Sequence, residues 1–250
     1  MAHSTTPSDQ HPWRIASKQA KMSCLADKQT MFFRTGIFQV HVGKDDDMVT
    51  FRIHISVACK YSSFFRSAVV WSWIRSAGDV VNLPNYEPDT FELYLQWRYT
   101  NTLPVSEESE EKPEYCDLLL LAKAYVLGAY LADNFFQDAV ADALMHRLYA
   151  KRETWGRCKG CRWGFVAYLY DKTSSSSPIR HLLVALLARD YERWLSEVGA
   201  AGLPKEFMSD LLNYVAGVTA HRPMQEYWGK CTFHLHEAEQ ECYRRHFMVD

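Results

Sequence analysis

The chain has 250 residues, 48% of them hydrophobic and 23% charged, with a formal net charge of −2. That is the make-up of an ordinary globular protein long enough to bury a sizeable core. Its near-neutral charge gives no basis for a polyanionic partner such as nucleic acid.

The opening stretch, MAHSTTPSDQHPWR, lacks the apolar centre of a secretory signal. Residues 1–33 are polar and without periodicity, which reads as a flexible arm. From Gly36 the pattern changes. IFQVHVG alternates, with Phe38, Val40 and Val42 on one side, and MVTFRIH follows after KDDD, so the pair predicts a β-hairpin. Ile55 to Cys59 then predicts a helix, and Ser62 is placed to cap a second one carrying Phe64, Phe65 and Ala68.

DVVNLP predicts a third strand ended by Pro84, and Pro88 and Asp89 open a helix that stops before Pro104. SEESEEKPE, 106–114, reads as a solvated acidic loop. The stretch 118–131 is apolar on nearly every face and predicts a buried helix. It contains Lys123 and is too short to span a bilayer. Asp133 or Asn134 caps the next helix, where Phe136, Val140, Leu144 and Leu148 recur on the core side. After the Ser-rich break at 173–178, Leu182, Leu183, Leu186, Leu187, Trp194 and Leu195 follow at helical spacing up to Gly199. Pro204 opens a last helix along Phe207, Leu211 and Val215.

VHVGKDDDMVTFRIHISVACKYSSFFRSAV and, further on, VVNLPNYEPDTFELYLQWRYTNTLPV together resemble the BTB/POZ domain. The resemblance rests on an aromatic-x-x-His strand end, a Ser-x-Phe-Phe helix start and an acidic Pro-x-x-Phe helix ending in Tyr-Thr-x-x-Leu. Phe51, His54, Ser62, Phe64, Phe65, Leu83, Phe91, Tyr99 and Thr100 occupy those places. One departure is Ile55, where the family often carries Lys or Arg.

The resemblance implies an α+β fold in which a small sheet is covered by helices over 34–150, followed by an all-helical region, 151–250, with an irregular Cys- and His-containing tail. That second part is similar to the helical tails of fungal-type BTB proteins. The implied function is protein–protein interaction: a homodimer or a BTB hetero-partner, a scaffold, or an adaptor on the cullin of a ubiquitin ligase. No kelch, zinc-finger or ankyrin module is visible after residue 150, which favours scaffold or dimerisation over adaptor. The expected locale is the cytoplasm or nucleus, with no membrane partner. On the helix from Phe91 to Tyr99, Tyr94 and Trp97 are candidates for a partner surface.

Two sharper readings compete with these. His54, Cys59 and Ser62 lie close in sequence, but a nucleophile needs an oxyanion site and an oriented base, and Cys59 falls among apolar positions. The histidine reads as structural, its ring donating to a nearby carbonyl at the strand-to-helix junction, and the protein is not expected to be an enzyme.

The second reading is zinc. Cys158 and Cys161 have C-x-x-C spacing, and CTFHLHEAEQEC holds Cys231, His234, His236 and Cys242. On a strand the two histidines would share a side. Some seventy residues separate the two clusters, however, longer than the loops of compact zinc modules. The expectation is therefore a packed tail with no metal or other cofactor. The alternative is a zinc-stabilised nucleic-acid-binding or regulatory protein that dimerises through the BTB region. With seven cysteines in all, and no dense framework, reduced thiols are expected.

Overall fold

The computed structural model describes residues 36–68, 80–103, 114–150, 163–189, 191–198, 202–217, 231–236 and 242–244. The arm at 1–33, the acidic loop up to residue 113 and the C-x-x-C pair at 158 and 161 lie outside them. The fold is α+β, a small sheet covered by helices.

β1 (Ile37–Val42) and β2 (Val49–His54) form the expected antiparallel hairpin, with Ile37 opposite His54 and Val42 opposite Val49. Phe38, Val40 and Val42 are buried, as their alternation requires. Gly43 turns the chain out of β1 with φ +94°, and a Cβ there would stand 2.7 Å from the Asp47 carbonyl oxygen. β3 (Val80–Leu83) runs parallel to β1 on its other side, so the sheet order is β2-β1-β3.

α1 (Ile55–Tyr61) follows β2 without a break, and the Ile55 amide donates to the Gly36 carbonyl at 2.9 Å. The chain is helical again over 63–68. α2 (Pro88–Thr100) starts with proline at its first turn and ends at Asn101, whose left-handed φ of 55° suits a helix stop. α3 (Glu114–Tyr130) and α4 (Asn134–Ala150) form a tight helical hairpin. They approach so closely that a Cβ on Gly128 would stand 2.7 Å from Gln137 Cγ.

The turn between α3 and α4 is a Schellman motif: the Asp133 amide donates to the Gly128 carbonyl and the Ala132 amide to that of Ala129, at 3.0 and 3.1 Å. The residue in the left-handed position is Ala132, with φ 50°. Asp133, fully buried, then caps α4 by accepting the Phe136 amide at 3.1 Å, so of the two residues expected as caps the aspartate has the role. Phe136, Val140, Leu144 and Leu148 are all buried, as their fourfold spacing predicts.

In the second half, α5 (Gly164–Lys172) packs on α3, and α6 (Pro178–Ala188) packs on α4 and on α8 (Lys205–Gly217). The leucine run read as one helix is two: α6 stops at Ala188, and α7 (Tyr191–Val198) is separate. Arg180 is buried at the α5–α6 connection. It donates to the Tyr170 and Thr173 carbonyls and to Glu206, the last at 2.8 Å. The buried cluster runs unbroken from Phe38 to Leu211, so the sheet-bearing and helical regions share one core. No helix among the described residues is long and apolar enough to cross a membrane.

A left-handed L-residue costs about 1–2 kcal/mol, and glycine gives back about 0.5–1 kcal/mol through its freer unfolded chain. Ala132→Gly is therefore expected to raise stability by about 0.5–1 kcal/mol in urea unfolding. An unchanged or lower midpoint would count against the strained turn.

Candidate metal centre

The motif residues come together at two places. At the end of β2 the His54 backbone amide donates to the Tyr99 hydroxyl oxygen at 3.3 Å, and His54 Nδ1 lies 2.9 Å from the same oxygen. The Tyr99 oxygen serves both the backbone and the ring of His54, and the histidine tautomer sets which atom donates in the second contact. The His54 ring at this junction thus meets a side chain 45 residues further on. Thr100 closes α2 by donating to the Gln96 carbonyl at 2.6 Å. Phe51 meets Phe91 edge-on at 5.1 Å between centroids.

The second place is Ser62, which is fully buried. Its hydroxyl donates to the Leu131 carbonyl at 2.6 Å and accepts the Phe65 amide at 3.1 Å. It therefore caps its own helix and fastens that helix to the α3–α4 turn. Phe65, Leu83 and Phe91 are buried, while Phe64 is half-buried against Tyr130. Cys59 sits in α1, where burial pushes its thiol pKa up and Arg66 only partly opposes this. That is the opposite of what an activated nucleophile needs.

Tyr94 and Trp97 are not a partner surface, being 0% and 4% exposed. Tyr94 packs on Phe136 and donates to Asp133 at 3.1 Å. Trp97 is covered by Tyr243, edge to face at 5.6 Å. A tail segment distant in sequence has taken the place expected for another protein.

That tail carries a cluster of metal-ligating groups. Cys231 to His234 is a tight turn rather than a strand, closed by the His234 amide donating to the Cys231 carbonyl at 3.2 Å. The next amide, of Leu235, donates to Asp138 Oδ1 on α4 at 2.7 Å. The turn brings the ligand atoms of Cys231, His234, His236 and Cys242 within 4.8 Å of one another. His234 Nδ1 lies 3.2 Å from His236 Nε2 and 3.5 Å from Cys242 Sγ.

On its other edge His234 Nε2 is 3.1 Å from Asp142 Oδ1. Arg244 grips both oxygens of Asp142, at 2.6 and 2.9 Å, and the Tyr243 hydroxyl donates to the same carboxylate. Burial disfavours the charged Asp142, but hydrogen bonds from His234 and the Arg244 charge hold its pKa below the ordinary carboxylate value. Burial likewise opposes a charged His234, yet its bonds to Asp142 and Cys242 and the nearby carboxylates raise it to about 9. Burial would raise Cys242, but its contact with His234 wins and lowers the thiol to about 7, while burial and Cys242 push Cys231 up to about 11. Asp138, 1% exposed, is raised to about 6 mainly by burial. Its Oδ2 lies 4.0 Å from His234 Nδ1 and has no hydrogen-bond partner among the described residues.

Two chemistries fit these contacts. Cys242, His234 and Asp142 stand in the order of a nucleophile, a base and its orienting acid. But Cys242 is only 7% exposed, and His236 Nε2 and Cys231 Sγ crowd the same His234 nitrogen where a substrate would have to approach. Convergence of four soft and borderline donors on one point is what a metal ion requires instead. No family model matches the chain.

All four clustered residues were singled out from the sequence, but their supports, Asp138, Asp142, Tyr243 and Arg244, were missed. A signal was there: Asp138 and Asp142 are four apart, and so share a face of a helix otherwise patterned for the core.

At the strand junction, Tyr99→Phe is expected to cost about 1 kcal/mol, and His54→Ala a similar amount. The double variant should cost barely more than either alone, a coupling of about 0.5–1 kcal/mol in a double-mutant cycle. Strict additivity would separate the two side chains energetically.

Proposed function

We propose that this chain is a protein–protein interaction module of the BTB/POZ type that works by pairing with a second copy of itself. The observation that carries the reading is the contact between the first and last parts of the resemblance, His54 at the end of β2 and Tyr99 at the end of α2. Residues that merely happened to match a pattern would have no reason to bond to one another. Ser62 adds a second long-range tie, to Leu131. Cys59, in its raised-pKa setting, gives no support to catalysis beside His54.

The face for pairing, in this reading, is the outer side of the sheet. Ile37 on β1 and Val80 on β3, which lies opposite Gln39, face the same side of the sheet and are 54% and 40% exposed. A hetero-partner of the same type is the variant of this reading for a cell that holds one. The adaptor role on a cullin scaffold draws on the resemblance alone.

Light scattering on the full chain at high micromolar concentration is expected to give twice the mass of one chain. Ile37→Asp with Val80→Asp should halve that mass, keep the helical circular-dichroism signal and remove any concentration dependence of the melting temperature. A monomer at every concentration would overturn self-pairing.

A further inference from the structure

We propose that Cys231, His234, His236 and Cys242 bind one zinc ion in a tetrahedral, structural site that clasps the tail onto α4. This departs from the metal-free tail expected from sequence, and it does not depend on the BTB reading, since none of the motif residues takes part.

The distances carry the argument. Zinc holds thiolate sulfur at about 2.3 Å and imidazole nitrogen at about 2.0–2.1 Å, so a tetrahedron sets nitrogen pairs about 3.3 Å apart and sulfur–nitrogen pairs about 3.6 Å apart. The His234–His236 and Cys242–His234 separations are 3.2 and 3.5 Å. The ligand atoms all lie within 4.8 Å of one another, so the widest gap must close by about 1 Å to reach a tetrahedral edge.

The ring orientation agrees. Arg244 and the Tyr243 hydroxyl donate to both oxygens of Asp142, and His234 turns its Nε2 edge to the same carboxyl group. Nδ1 is then the ring atom that faces the centre of the cluster, where metal binding would displace the proton it carries. A metal-bound histidine handing its other N–H to a carboxylate is the usual second layer of a zinc site. Asp142 is here a positioning residue.

A third observation calls for positive charge. Asp138 Oδ2 is buried and unbonded among the described residues, 4.0 Å from His234 Nδ1. A divalent ion bound at His234 Nδ1 would bring positive charge to this side of α4. Mixed sulfur and nitrogen donors in a closed four-ligand set select zinc over magnesium or calcium, which prefer oxygen. No ligand position is left for substrate, so the site is structural rather than catalytic.

The full chain, purified in reducing buffer without chelator, is expected to lose one zinc equivalent on Cys231→Ser and on His236→Ala, and none on Cys158→Ser. Cys231 is exposed and His236 half-buried, so neither change removes core packing. Chelation of the wild-type protein should lower its melting temperature and free two further thiols to a titrating reagent. Asp142→Asn should still bind zinc, about 10- to 100-fold more weakly.

Cobalt exchange into the wild-type protein needs no variant. It should give strong tetrahedral d–d absorption with a thiolate charge-transfer band. The proposal is overturned if cobalt is octahedral or lacks the thiolate band, or if Cys158→Ser loses the zinc that Cys231→Ser keeps. It is equally overturned if Cys231 and Cys242 are found joined as a disulfide in the reduced preparation.

Discussion

The fold hangs on a buried carboxylate. Asp133 closes the α3–α4 turn, caps α4 through the Phe136 amide, accepts the Tyr94 hydroxyl and stands 3.4 Å from the Arg98 guanidinium. Burying that charge is tolerable only because each oxygen meets a donor. Two residues before it, the Leu131 carbonyl takes the Ser62 hydroxyl. Elements from the sheet side, from α2 and from both hairpin helices thus meet at three consecutive residues. The turn also sets the rotation of α4 about its axis, which decides that Asp138 and Asp142 face the tail while Phe136, Val140 and Leu144 face the core.

Local rules made much of this legible. Alternation gives the hairpin, fourfold spacing gives the inner face of α4, and the short polar residues Ser62 and Asp133 announce helix starts because their oxygens satisfy free amides. What eluded the sequence depends on contacts across long separations. Tyr94 and Trp97 look like surface on a helix considered alone, and they are core because Phe65, Phe136 and Asp133 close on Tyr94 and Tyr243 covers Trp97. The His54 ring likewise meets a hydroxyl that no local pattern reveals. The break at residue 189 between α6 and α7 has no glycine or proline to mark it.

The candidate site shows the same division. The four Cys and His residues within 231–242 were visible, but the C-x-x-C pair at 158 and 161 drew attention to a longer-range set. Four ligands in one short segment need only a turn to converge, and loop closure over so few residues costs little. The turn itself is tied to α4 through the Leu235 amide on Asp138. The scaffold for the tail is therefore a helix whose inner face belongs to the main core.

That arrangement has a consequence for the order of synthesis. Asp142 emerges well before Arg244, and the 102 residues between them take about 5 to 20 s to make at ribosomal rates. Throughout that interval α4 can dock its apolar side while its carboxylates stay hydrated, facing outward as an acidic ridge. Charge on that ridge would keep the early chain from sticking to its neighbours, and the arrival of Arg244 and Tyr243 then cancels the repulsion at the moment the last segment is ready to settle.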